Sequence, residues 1–372
     1  MSRINDLIKE LCPNGVQKHK LSDIIEFQNG KGHENVVSDN GKYILVTSKA
    51  ISTGLKNVRK TDEQLSPLFK NDIALVMSDL PNGKALAKCL LIDSDNKYTL
   101  NQRVCRLSIK VGSLLPKYLF YALNRNNQLL SYDNGVDQTN LKKDDILNIL
   151  VAIPPLEVQE EIVRILDKFG ELEAELEAEL EARRSQYEFW RGKLMSKEYQ
   201  TYKLQDVLTI KNGKDYKHLE SGEIPVYGSG GIMTYVNKYA YDKPSVLIPR
   251  KGSLGNVFYV DKPFWNVDTI YYTEIDTSKV IPKYVYYYIQ NEHLDRLNIA
   301  GGVPSMTQAT LNRLDIPLPS LEEQERIVNI LDKFDKLVND ISEGLPAEIE
   351  ARRKQYEYYR NKLLSFEEVP CE

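Results

Sequence analysis

The sequence predicts an α/β (α+β) chain of two globular domains, each followed by a long helix, with the second half an internal repeat of the first. Three observations carry this. Residues 154–169 return as 319–334 with 12 of 16 positions identical. Residues 179–188 return as 348–357, and each copy runs on into an Arg-x-Lys-Leu-x-Ser string at 191–196 and 360–365. At 372 residues the chain also exceeds what one hydrophobic core comfortably organises. The predicted order is a first domain at 1–152, a helix region at 153–198, a second domain at 199–315, a second helix region at 316–366 and a tail at 367–372.

Each domain reads as alternating short strands and turns. Runs such as Ile73 to Met77, Ser245 to Ile248 and Thr269 to Tyr272 are rich in β-branched and aromatic residues, and Gly, Asn and Pro separate them. The domains begin and end alike. Lys20-Leu21-Ser22-Asp23 and Asn29-Gly30-Lys31 match Lys203-Leu204-Gln205-Asp206 and Asn212-Gly213-Lys214, while Pro116-Lys117-Tyr118 matches Pro282-Lys283-Tyr284. Their interiors do not visibly align. One scaffold is therefore expected to present two different surfaces.

The first helix is expected over 156–196, roughly 60 Å of rod at ~1.5 Å per residue. Pro154 and Pro155 precede it, and Ile162, Leu166, Phe169, Leu172, Leu176 and Leu180 form its seam, followed by Tyr187, Trp190 and Leu194. Three identical Glu-Leu-Glu-Ala tetrads at 171–182 each add about one turn. They read equally as a high-propensity spacer or as a ruler whose copy number sets a distance. In the second helix Ile327, Leu331, Phe334, Val338 and Ile341 step by 4, 3, 4 and 3. Ser320 with Glu323 suggests a capping box, and Gly344 with Pro346 predicts a kink or a break. Phe334 lies four residues farther from its Ala-Arg-Arg than Phe169 does, a departure such a break can absorb.

Composition narrows the class. The net charge of −4 hides an uneven distribution, +5 over 1–152, −5 over 153–198, +1 over 199–315 and −5 over 316–372. A solvated helix surface accounts for the acid, which leaves the first domain basic and the second near neutral. No apolar run of about 18 residues could span a bilayer, and the first residues lack the apolar core of a signal peptide, so a cytoplasmic protein without a membrane partner is expected. Cys12, Cys89, Cys105 and Cys371 share no C-x-x-C spacing, and His19, His33, His218 and His293 are scattered. Neither a disulfide framework nor a zinc site is expected, and the thiols read as reduced and mostly buried.

Catalytic machinery is absent from the pattern. There is no phosphate loop, dinucleotide fingerprint, zinc-protease helix, nucleophile elbow or the Asn-Pro-Pro-Tyr type motif of amino-methyltransferases. Gly228-Ser229-Gly230-Gly231 reads as a turn, and Gly83-Lys84 lacks the upstream glycine of a nucleotide loop. A binding protein is expected, with no catalytic, cofactor or metal residues. Fourteen of the 23 tyrosines fall between Tyr199 and Tyr288, where core or sheet packing outweighs a stacking role for any one of them. Polar loops are better candidates for reading a duplex. In the first domain these are Lys31, Lys84 beside Asn82, Asn101, Gln102, Arg103, Gln138 and Asn140 around Thr139. In the second they are Lys214, Tyr216, Arg250, Lys251, Ser253 and Asn256, chosen because Arg, Lys, Asn and Gln can bond phosphates and base edges.

The doubled helix block, ending each time in Arg-Arg-x-Gln-Tyr-Glu and Arg-x-Lys-Leu, resembles that of the specificity subunits of bacterial type I restriction-modification systems, and the resemblance covers essentially the whole chain. It implies two target recognition domains, each reading one half of a split, asymmetric DNA sequence. It also implies that the two helices pack antiparallel as a coiled coil with pseudo-two-fold symmetry. The chain would catalyse nothing. Two modification subunits binding S-adenosylmethionine would methylate adenine, and restriction subunits using ATP and Mg would translocate and cleave. The reading from another class is a coiled-coil protein–protein scaffold that never touches DNA; an intrinsic methyltransferase or nuclease is a third, disfavoured by the missing motifs. If the tetrads are a ruler, deleting one is expected to change the unread gap of the target by about one or two base pairs, since ~6 Å of helix is matched against ~3.4 Å steps of duplex. Methylation mapping of the variant reads this directly, and an unchanged gap would leave the tetrads as a mere spacer.

Overall fold

In the computed structural model the described residues are 2–33, 35–56, 58–81, 83–196, 199–296 and 305–367. Asn82 and Cys371 of the sequence expectations lie outside them. The chain divides into two compact units, Met1–Ala174 with Ala351–Glu372, and Glu175–Glu350. The boundaries fall inside the helices, so each helix region serves both units and is not a segment separate from them.

The first unit is organised by a four-stranded antiparallel sheet in the order Ile25–Asn29, Val104–Ile109, Ile73–Val76, Cys89–Leu91. The strand Ile73–Val76 is buried on both faces. Ile73 and Leu75 pack into a core with Leu119, Ile146, Val158, Ile162 and Leu166, while Ala74 and Val76 pack with Val46, Leu68, Tyr98 and Leu100. Successive side chains point to opposite faces, so a strand covered on both sides is an unbroken apolar run. The second sheet orders Arg59–Thr61, Tyr43–Val46, Tyr98–Leu100 and Pro67–Leu68, with its central pair parallel. A ribbon of Lys18–Lys20 with Leu150–Ala152 joins the two ends of the domain.

The second unit repeats this wiring. Its four-stranded sheet runs Leu208–Asn212, Ile270–Ile275, Ser245–Pro249, Phe258–Val260. Its second sheet orders Gly231–Val236, Ser221–Gly228 and Trp265–Asn266, again with one parallel pair, and Thr201–Lys203 closes on Asp315–Pro317. The interiors that do not align in sequence thus share the strand order of the first sheet, while among the described residues the second sheet has four strands in the first unit and three in the second, with no counterpart of Pro67–Leu68. The sequence match Asn-Gly-Lys marks a close approach in each: a Cβ on Gly30 would sit 2.0 Å from the Asn101 carbonyl oxygen, and one on Gly213 would sit 2.1 Å from that of Val267.

The repeated helix block bonds each domain to its helix. Gln159, fully buried, accepts from the Leu115 N–H (2.9 Å) and donates to the carbonyls of Ser113 (2.8 Å) and Pro154 (2.7 Å). Gln324, also fully buried, does the same with Ile281, Lys279 and Pro319 at 2.9, 3.2 and 3.0 Å. About two turns farther on, Asp167 accepts from Lys117 (2.8 Å) and Tyr121 (2.5 Å), and Asp332 accepts from Lys283 (2.7 Å) and Tyr287 (2.5 Å). Tyr118 and Tyr284 donate to the carbonyls of Ala152 and Pro317, at 2.9 and 2.8 Å. The two Pro-Lys-Tyr matches are therefore the partners of the two helix matches.

The first helix spans Leu156–Leu194 without interruption. Ile162 and Leu166 are buried, whereas Leu172, Leu176 and Leu180 are half-buried. The second region breaks as expected, into Leu321–Asn339 and Leu345–Leu363. Ile327, Leu331 and Val338 are buried and Phe334 is half-buried, but Ile341, placed in the seam from its spacing, is 85% exposed. It sits in the turn of the break, where Asp340 accepts from Ser342 and Glu343 and the Gly344 N–H reaches the Asp340 carbonyl, so the heptad count no longer applies. Ser320 caps the Glu323 N–H at 3.3 Å, but the Glu323 carboxylate bonds Arg326 and Tyr199. The predicted box is thus a serine cap. Cys12, Cys89 and Cys105 are buried free thiols, pushed above their ordinary pKa by burial.

Two predictions follow from this packing. Gln324→Ala leaves a buried N–H and two carbonyls without their partner and is expected to cost about 2–4 kcal/mol, read as a lower urea midpoint; Gln159→Ala should behave alike. Burial also raises Tyr118, Tyr121, Tyr284, Tyr286, Tyr287 and Tyr288 well above the ordinary tyrosine range, with the Asp167 and Asp332 bonds adding to it for Tyr121 and Tyr287, and pushes Tyr187 up to about 12. The folded state keeps protons that the unfolded state loses above pH ~10, so stability is full below that pH and falls as pH rises beyond it. The tyrosinate absorbance of these seven tyrosines should be withheld in the native protein above pH ~10 and appear as a jump with unfolding; smooth titration of all tyrosines near that pH would contradict the packing.

Candidate nucleic-acid interface

In both units the loops holding the expected reading residues leave one end of the four-stranded sheet. In the first unit this end is set by the pairs Cys105 with Asn29, Val104 with Val76 and Leu75 with Cys89. From it emerge Lys31, the turn 101–103, the segment Met77 to Asp79 and the start of the strand at Cys89. The Lys31 N–H donates to Leu100 and the Met77 N–H to Arg103, at 3.3 and 2.9 Å. Ser78–Asp79 pairs with Thr139–Asn140, and Gln138 bonds the Ser78 hydroxyl (2.9 Å) and Asn140 (3.3 Å). The Asp79 carboxylate accepts from the N–H groups of Leu80, Ala85 and Leu86, which fixes the loop carrying Lys84. Lys31, Lys84, Gln102, Arg103, Gln138 and Asn140 are all exposed, and Asn101 is half-buried.

Two features make this end unusual. Arg103, Arg125 and Ala87 all have φ between 56° and 68°, the left-handed region that non-glycine residues avoid, each fixed by its backbone bonds. The ammonium of Lys88 is pushed down in pKa by burial and by the charges of Arg125, Arg353 and Lys84. The Asp79 carboxylate opposes this shift, and Arg353 is itself paired with Glu173 at 2.6 Å.

The second unit builds the same end with different side chains. Three backbone bonds have direct counterparts. Lys31 to Leu100 becomes Lys214 to Asn266 (2.9 Å), Met77 to Arg103 becomes Arg250 to Thr269 (2.9 Å), and Leu141 to Met77 becomes Met306 to Arg250 (2.8 Å). The Ser78 ribbon becomes the bridge between Lys251 and Ser305. Lysine is kept only at the Lys31 and Lys214 position; arginine has moved from one strand end to its neighbour, from Arg103 to Arg250. Lys214, Lys251, Ser253 and Asn256 are exposed, and Asn256 bonds the Ser229 carbonyl (3.1 Å) while Leu254 anchors the loop in the core. Tyr216 does not join this surface. It is half-buried against Val226, Val236, Trp265 and Val267, a packing role set by the apolar faces of the second sheet.

The sequence reading missed the groups beneath the loops. His33 is buried and touches the Lys31 carbonyl (2.8 Å) and the Thr99 hydroxyl (3.1 Å), holding the loop that carries Lys31. Thr269 accepts at its hydroxyl from the Ser229 N–H, and Trp265 donates to the Lys214 carbonyl. Apart from the His33 contact to Lys31, the partners of these residues lie tens of positions away, so no local signal marks them. Of the tyrosines, Tyr271 on a strand and Tyr284, Tyr287 and Tyr288 on the helix Pro282–Asn291 are core, whereas Tyr235 and Tyr239 are half exposed. Gly228-Ser229-Gly230-Gly231 is the expected turn of a hairpin.

A family model described as the type I restriction modification DNA specificity domain matches residues 13–182 and again 196–351. The chain belongs to this family. It is 34% identical over 281 residues, 67% of this chain and 72% of the relative, to a Haemophilus influenzae protein provisionally named a type I restriction enzyme specificity subunit. It is 37% identical over 244 residues to the EcoR124I/EcoR124II specificity subunit of Escherichia coli, a match spanning 57% of this chain and 60% of that one. Its fold is similar to the solved S subunit of the type I restriction-modification system of M. genitalium, with a TM-score of 0.57 and 20% identity over 95% of this chain and 96% of that one. Membership in a DNA specificity family favours duplex reading over the protein-only scaffold. Among the described residues no helix is long and apolar enough to cross a membrane, and no group of His, Cys, Asp and Glu could hold a metal ion.

Proposed function

We propose that this specificity chain reads a split, asymmetric DNA target, one half per unit, through the loops at the end of each four-stranded sheet, and directs adenine methylation and restriction by partner subunits without catalysing a step itself. The observation that carries this is the match of three backbone bonds at the sheet end beneath unlike side chains. A position kept in both units suits a contact that every duplex offers, and positions that differ suit contacts that only some sequences offer. Lys31 and Lys214 are thus the phosphate anchors. Arg103 in one unit, and Arg250 with Lys251 in the other, face base edges in the major groove, where arginine favours guanine and Asn or Gln favours adenine. Asn101, Gln102, Gln138, Asn140, Ser253 and Asn256 complete the two reading surfaces.

The helices act as a coiled coil that sets the distance between half-sites, related by a pseudo-two-fold axis. In support, within the first unit Phe169 stacks on Tyr359 (5.5 Å) and Glu173 pairs with Arg353 (2.6 Å), so one helix ascends where the other descends, as in an antiparallel pair. Within the second unit Tyr187 lies 6.3 Å from Phe334. Two modification subunits dock on the helical region in the cytoplasm and carry S-adenosylmethionine, and restriction subunits bring ATP and Mg. The acidic helix regions keep the rod off the duplex and leave part of the phosphate contact to these partners.

The test is single-base methylation mapping of DNA from cells expressing this chain with its modification subunit, against cells lacking the chain. A split motif with methyladenine in both halves is expected. In the purified complex, Lys31→Ala and Lys214→Ala should weaken binding across sequences and each lower the salt slope by about 1, whereas Arg103→Ala should relax specificity at one base pair at a cost of about 1–3 kcal/mol. A complex that assembles but shows no motif dependent on this chain would return the scaffold reading.

A further inference from the structure

Beside the cationic loops of the second unit stands a hairpin that exposes Ser221 and Glu223 at its base and apolar side chains toward its tip. Ser221–Gly228 and Gly231–Val236 pair so that Val226 faces Thr234 but Tyr227 faces Ile232. Met233 is therefore the extra residue of a β-bulge. In an unbroken strand Ile232 and Met233 would point to opposite faces, and one of them would be covered. The bulge instead leaves both in solvent, with Ile232 50% exposed, Met233 57% and Tyr235 50%. Val236, on the same strand, is buried in the small core with Trp265, so the strand is anchored where it is not reading.

The position of this tip is fixed by the interface already described. Ser229, in its turn, donates its N–H to the Thr269 hydroxyl (3.3 Å) and accepts from Asn256 (3.1 Å), and the Lys251 N–H reaches the Thr269 carbonyl (3.3 Å). The Val267 N–H bonds the Tyr227 carbonyl (3.0 Å), and Lys214 bonds Asn266 next to it. The exposed apolar pair thus continues the surface that carries Lys214, Arg250 and Lys251. A protein face that places cations beside paired aliphatic side chains matches the major groove, where phosphates flank the only apolar group on a base edge, the thymine 5-methyl.

Resting on the DNA-reading function above, we infer that Ile232 and Met233, turned outward together by the bulge, are specificity-determining residues that contact thymine methyl groups in the half-site read by the second unit. Lys214 and Lys251 hold the backbone while the aliphatic pair distinguishes thymine from cytosine without a hydrogen bond.

The test uses the complex of this chain with its modification subunit and duplexes carrying the methylation-mapped motif, with thymine replaced by uracil in one half or the other. Uracil keeps every hydrogen-bonding group and lacks only the methyl. The wild-type complex should bind about 4-fold more weakly for each contacted methyl removed, in one half only. The variants Ile232→Ala with Met233→Ala, and Met233→Gln, which keeps the side-chain length, should bind the thymine duplex more weakly and no longer distinguish it from uracil. Equal binding of thymine and uracil duplexes by the wild type, or discrimination surviving in both variants, overturns the inference while leaving DNA reading intact. Variants that bind DNA normally but assemble poorly with the modification subunit make the hairpin a protein contact, which also overturns it. Loss of sequence-specific binding in the wild type would instead remove the function on which the inference rests.

Discussion

Each helix meets its domain through one glutamine, and the rest of the unit is arranged around it. Gln159 and Gln324 are fully buried, and each uses its whole amide on backbone, accepting from one N–H and donating to two carbonyls. A buried amide with every group satisfied tolerates only one placement, because shifting it leaves polar groups unpaired in a dry interior. It fixes the loop before the Pro-Lys-Tyr helix against the first turn of the long helix. The aspartate farther along then bonds that same Pro-Lys-Tyr helix through lysine and tyrosine, and the sheet packs on it in turn.

That rigidity is what lets the sheet ends vary. The four-stranded sheets have the same order and their exits are joined by the same backbone bonds, yet the side chains above them differ at nearly every position. Backbone hydrogen bonds are indifferent to side-chain identity, so a surface built on them can be rewritten without disturbing the core. The first unit uses this freedom for a ribbon, Ser78–Asp79 with Thr139–Asn140, and for a crowded set of cations. The second uses it for a bulged hairpin and the loop carrying Lys251, with Lys214 alone keeping the place and type of its counterpart Lys31.

Charge follows the same division. The net −4 of the chain is the sum of acidic helix regions and a basic first domain, so the overall sign says nothing about the surface that meets a ligand. Around Lys88, burial first and then the charges of Arg125, Arg353 and Lys84 lower the ammonium pKa, against the opposing Asp79 carboxylate.

By itself the sequence determined the tandem repeat, the two helix regions, the break near Gly344 and Pro346, the apolar strands and the family, because each rests on local periodicity or on identity between positions of one chain. It also placed most reading residues on loops, since Asn, Gly, Lys and Arg cluster where strands end. Ile341 shows the limit of that reasoning: its heptad spacing is correct, but the helix has already turned away at Asp340. Tyr216 shows another, for only the fold reveals that Trp265 and Val226 lie against it. The tertiary structure alone decided that the dissimilar interiors share the strand order of the first sheet, that the loops of each unit converge on one sheet end, and that a single extra residue turns Ile232 and Met233 outward together. Hydrogen bonds between residues distant in sequence set the first two and a register shift within one hairpin sets the third, and neither leaves a period in the chain to be read.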